Sequence, residues 1–120
     1  MSLVDIHARL ANTALLYGVL LGVWGLWRFF RKQGVDSSYW GALAIAELLI
    51  AIQAGLGVVL WLNGARPDRT IHILYGVVSL LAIPTAFALT KGRDKRSDML
   101  VYGAVLLFLC GLILRAVSTG

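Results

Sequence analysis

The chain holds two histidines, His7 in "DIHARL" and His72 in "RTIHILYG". Each lies within a turn of the start of a long apolar run. A neutral imidazole offers one nitrogen lone pair to a metal, and two imidazoles at equivalent points can grip one metal from opposite sides. That chemistry needs two separate segments to present their histidines at one level, so the elements carrying them decide whether it is available.

Those elements are apolar throughout. Of 120 residues, 59% are hydrophobic and only 14% charged, with a net charge of +5 and a mean hydropathy of +0.81. Soluble domains carry about 25% charged residues, so this composition indicates an integral membrane protein. The eleven Lys and Arg sit in short clusters between apolar runs, as in membrane proteins, and nucleic acid is excluded as a partner. Cys110 lies alone inside an apolar run, which gives neither a disulfide nor a CxxC metal site.

Four runs are each near the roughly 20 residues that cross a bilayer as a helix. They predict helices over about 6–30, 38–63, 69–90 and 97–118, within a single transmembrane domain spanning 1–120. No run alternates with period two, so a barrel is excluded. The connections "RFFRKQGVDSS", "NGARPDR" and "KGRDKRSD" are short and polar. They make neighbours antiparallel, so the expected fold is all-α: an up-down-up-down four-helix membrane bundle. Asp36, Ser37 or Ser38 can cap the second helix, Asp68 the third and Asp98 the fourth. Pro84 is expected to bend the third. The first run ends in "WRFFRK" without a small-residue cleavage site, and reads as a retained helix.

Seven basic residues (Arg28, Arg31, Lys32, Lys91, Arg93, Lys95, Arg96) fall at one end, and Arg9, Arg66, Arg69 and Arg115 at the other. The positive-inside rule then places both termini outside, in a cell membrane of the prokaryotic inner or plasma type. Trp24, Trp27 and Trp40 cluster at the inner interface, with Trp61 at the outer.

In such a bundle the first and third helices run parallel on a diagonal, so His7 and His72 come out at equal depth and face each other. Steps of three or four from His7 meet Ala11, Ala14, Gly18, Gly22 and Gly25; from His72 they meet Gly76 and Ser79. These small residues leave room for a flat macrocycle or allow close helix contact. A haem suits two ligands better than zinc does, because only Asp5 and Asp68 share that level as further donors. The expected cofactor is haem b, with His7 and His72 on its iron. Arg9, Arg66, Arg69 and Arg115 are placed to pair with its propionates.

The order "IHARLANTALLYGVLLGVWGLWR", "ALAIAELLIAIQAGLGVVLWL", "IHILYGVVSLLAIPTAFAL" resembles one half of the haem A synthase family, whose members fuse two four-helix bundles. The family's QxxLG stretch is similar to Gln53-Ala54-Gly55-Leu56-Gly57. Its "LH" before a small-residue helix is similar to Ile71-His72. The resemblance implies that His7 and His72 are axial haem ligands on the extracytoplasmic side. The chain departs from the family in three ways. Val4 stands where the synthase half has Glu, Ala8 follows the first histidine where that family has a basic residue, and the outer-loop cysteine pair is missing. With one bundle, the chain is not expected to make haem A or to act as an enzyme alone.

Glu47 lies within the second run, where an acid is costly and marks a functional candidate. "YWGALAIAELL" is locally similar to the first helix of small multidrug resistance transporters, which makes a proton-coupled transporter using Glu47 an alternative. Gln53 and Asn12 are expected to bond between helices, and Tyr75 to lie near a bound haem. The function expected is electron transfer or haem handling within a larger redox complex. Its partners would be other membrane subunits, lipid and a quinone. The rival is a cofactor-free accessory subunit.

Overall fold

The computed structural model describes residues 2–64 and 70–119. It contains four helices: α1 (Leu3–Phe30), α2 (Ser37–Leu62), α3 (Ile71–Thr90) and α4 (Arg96–Thr119). All four are long and apolar enough to cross a membrane. The longest dimension is 48 Å, which matches a bilayer of about 40–45 Å including headgroups. The protein is an integral membrane four-helix bundle.

Local chemistry sets where the helices begin. α1 starts at Leu3, ahead of the expected 6, because Ser2 and Asp5 form a capping box: Ser2 accepts from the Asp5 N–H and Asp5 from the Ser2 N–H. Asp36 caps α2 by accepting from the Tyr39 N–H at 2.9 Å. Asp98 is not the N-cap of α4; it sits in the first turn and reaches back to the Lys95 N–H at 3.1 Å. α3 begins after Thr70, which makes no side-chain cap bond. The expected cap Asp68 lies outside the described residues. Pro84 lies within α3 and removes the donor that the Leu80 carbonyl would otherwise meet.

Pairings between helices fix the topology. Tyr17 Oη donates to the Ala42 carbonyl and Tyr39 Oη to that of Leu21, so α1 and α2 are antiparallel. Trp40 meets Phe87 across α2 and α3. Thr90 bonds Tyr102, and His72 bonds Ala116, across α3 and α4. α1 and α4 make the most extensive contact, α2 and α3 the thinnest. α1 and α3 stand on a diagonal.

At one end the two basic loops are tied together. The Val35 N–H donates to the Asp94 carbonyl at 2.8 Å, and Arg96 donates to the Phe29 carbonyl at 2.8 Å with its guanidinium over the Phe29 ring. Above this platform lies the core, where Tyr39, Met99, Leu106, Tyr102 and Leu109 are fully buried. The small residues of α1 serve close helix contact here. A Cβ on Gly18 would come within 3.0 Å of Cys110 Sγ, and one on Gly25 within 3.2 Å of Gly103 Cα. Cys110 is buried and free.

Candidate functional site

At the opposite end, His7 lies in the second turn of α1 and His72 in the first turn of α3. Parallel helices on a diagonal bring both to one level. Their ring centroids are 6.3 Å apart with the planes at 68°. A metal bonded at about 2 Å by one nitrogen of each imidazole sets the centroids roughly 6 Å apart. The observed separation is close to that value.

His72 is oriented by α4. Its Nδ1 lies 2.7 Å from the Ala116 carbonyl. A carbonyl only accepts, so Nδ1 carries the proton and the neutral ring's lone pair is on Nε2. Ala116 lies in the last turn of α4, so α4 fixes the orientation of the ring. A ring nitrogen donating to a backbone carbonyl is the usual second interaction of a metal-bound histidine. His7 is held through its main chain instead: Gln53 Nε2 donates to the His7 carbonyl at 2.7 Å. His7 Nδ1 and Gln53 Oε1 are both buried without a partner in the described structure. Gly57 faces the His7 ring, and a Cβ there would sit 3.5 Å from Cε1.

The described side chains at this end are half-buried or exposed. Among the described residues, none before Ala14 in α1, after Ile50 in α2, before Ser79 in α3 or after Ile113 in α4 is buried. Around Gly55, Gly76 and Gly111 there is no neighbour within 4 Å of a would-be Cβ. Also among the described residues, no group of three His, Cys, Asp or Glu could hold a metal.

The arginines are distributed unevenly. Arg9 is exposed, two residues past His7 and on another face of α1. Arg115 precedes the Ala116 that binds His72, so it shares the level of the pair. Arg66 and Arg69 lie outside the described residues. Tyr75 is half-buried one turn beyond His72, and Asn12 is exposed rather than bonded between helices. The Ala116 carbonyl carries no side-chain signal in the sequence, so its contact with His72 could not be read there.

Glu47 forms a second polar centre, about 17 Å further along the axis at 1.5 Å per residue. It lines a 230 Å³ groove with Trp40, Leu43, Ile83, Pro84, Phe87 and Tyr102. Both of its carboxyl oxygens are buried without a hydrogen-bond partner. Comparison of the chain with protein-family models, curated proteins and solved structures gives no match.

Proposed function

We propose that the protein binds one haem b at the histidine pair and works as an electron-transfer or haem-handling subunit of a larger membrane redox complex. The observation that carries this reading is the 6.3 Å separation of His7 and His72. The anchoring of His72 Nδ1 on Ala116 supports it, as does the resemblance to half of a haem A synthase. His7 and His72 would hold the iron, and Arg9, Arg66, Arg69 and Arg115 would meet the propionates. Bound there, haem supplies a one-electron couple. The chain's own residues fix the two imidazoles and keep the iron within the bilayer. The described connections are too short for a catalytic domain, so electrons would pass to other membrane subunits or to a quinone. The basic loops orient the pair toward the extracytoplasmic side of a prokaryotic-type inner or plasma membrane, with both termini on that side.

The test is an optical spectrum of protein purified from haem-replete cells. Reduced-minus-oxidised bands of a six-coordinate b haem are expected, lost in both His7→Ala and His72→Ala while the variants stay monodisperse. A colourless, stably folded wild-type protein would assign the chain to the cofactor-free accessory class. Substrate flux coupled to protons and abolished by Glu47→Gln would assign it to transporters.

A further inference from the structure

The two histidines are held differently, and the difference falls on α2. His72 Nδ1 has the Ala116 carbonyl at 2.7 Å, whereas His7 Nδ1 is buried without a partner among the described residues. Gln53 reaches across from α2 and donates through Nε2 to the His7 carbonyl at 2.7 Å. That bond uses half of the amide. Its other half, the acceptor Oε1, is buried without a donor. One contact between α1 and α2 thus leaves a ring nitrogen and an amide oxygen both unmet. The ring lies along the same stretch of α2, since a Cβ on Gly57, one turn beyond Gln53, would rest 3.5 Å from His7 Cε1. The Gln53 main chain also comes near the ring, but its carbonyl already receives the Gly57 N–H within α2. Unmet polar atoms buried in a membrane are costly, and here the two left over are of complementary types.

We propose that Gln53 is the positioning residue of the His7 ligand. With iron on Nε2, the Nδ1–H donates to Gln53 Oε1, so one amide holds His7 by its main chain and by its ring. This inference rests on the haem reading. A ligating imidazole keeps its proton on the nitrogen away from the metal, and an acceptor there fixes the tautomer and the ring orientation and makes the ligand more basic. A more basic ligand favours ferric over ferrous iron, so the Oε1 acceptor lowers the midpoint potential of the couple. Leucine at 53 removes both halves of the amide, whereas glutamate keeps an acceptor for the ring. The two substitutions therefore separate an effect on the ring from an effect on the packing of α2 against α1.

The experiment is a redox titration of full-length wild-type, Gln53→Leu and Gln53→Glu protein in lipid nanodiscs, followed by haem absorbance, with haem retention measured on the same samples. Gln53→Leu should raise the midpoint potential and lose haem about tenfold more readily. Gln53→Glu should keep its haem and lie at or below the wild-type potential. Proton NMR of the ferric wild type gives a measurement free of any substitution, and decides the matter even where Gln53→Leu folds poorly. Two imidazole N–H resonances protected from exchange are expected, one from each ligand. A single protected N–H, a potential unchanged in Gln53→Leu, or a potential raised equally in both variants overturns the proposal and leaves the haem reading standing. A colourless wild type overturns both.

Discussion

The two ends of the bundle are built on opposite plans. Toward the basic loops, α1 and α4 approach until backbone nearly meets backbone: Gly22 lies against Leu107 and Gly25 against Tyr39, Met99 and Gly103. Every large side chain that is fully buried belongs to this half. Toward the histidines, Gly57 faces an imidazole, and the described residues are half-buried or exposed. Membrane helices are held by close packing and hydrogen bonds rather than by water exclusion. The closely packed half is therefore expected to carry most of the fold's stability, and the histidine half less.

The sharpest way to break this contrast is to add one side chain at the tightest crossing. A Cβ on Gly25 would lie 2.5 Å from Tyr39 Oη and 3.2 Å from Gly103 Cα. The tyrosine can yield only by losing its bond to Leu21, and the facing backbone cannot yield without separating α1 from α4. Gly25→Val should cost about 3 kcal/mol or more. It should be read as loss of a monodisperse peak in detergent chromatography and a steep fall in thermal midpoint. A variant as stable as wild type would mean that this crossing does not hold the bundle.

A smaller effect is expected at Tyr39 itself. Tyr39→Phe keeps the ring against Trp24, with centroids 5.0 Å apart, and removes only the 2.9 Å bond to the Leu21 carbonyl. The cost should be about 1 kcal/mol, measured by denaturation in mixed micelles. Smaller again is Gln53→Leu in the histidine half. Its loss of the bond to the His7 carbonyl should cost about 0.6 kcal/mol, while the spectrum of any bound haem shifts as the His7 turn loosens. A loss as large as that of Gly25→Val would show that the histidine half also carries the fold.

The sequence made the bundle legible for a physical reason. Four apolar runs near membrane length, joined by short polar loops, admit few arrangements in a bilayer. Antiparallel neighbours put His7 and His72 on one diagonal without further information. The capping box at Ser2 was less visible: the helix was expected from about residue 6, and α1 starts at Leu3 because Ser2 and Asp5 cap it. Small residues carried an ambiguous signal, because the same stripe serves a macrocycle or a close crossing. The structure divides them: Gly18, Gly22 and Gly25 pack on α4, whereas Gly76 stays open. Contacts to backbone atoms, such as Ala116 with His72 and His7 with Gln53, depend on helix register, which side-chain types alone do not encode.

The smallest expected effect has the opposite sign. Gly57 stands on α2 opposite the His7 ring, where an added Cβ would rest at ordinary contact, 3.5 Å from Cε1. Gly57→Ala should therefore stabilise the protein by about 0.5–1 kcal/mol, the gain of replacing a helical glycine, and leave the ring in place. Gly57→Leu keeps the fold equally well but projects its branch onto the imidazole. If the pair holds haem, the leucine variant should purify with little chromophore and a wild-type thermal midpoint, whereas the alanine variant keeps its colour. An added side chain would then be ruinous at Gly25 and a methyl group helpful at Gly57, the outcome required if the helices are pressed together in one half of the bundle and not in the other.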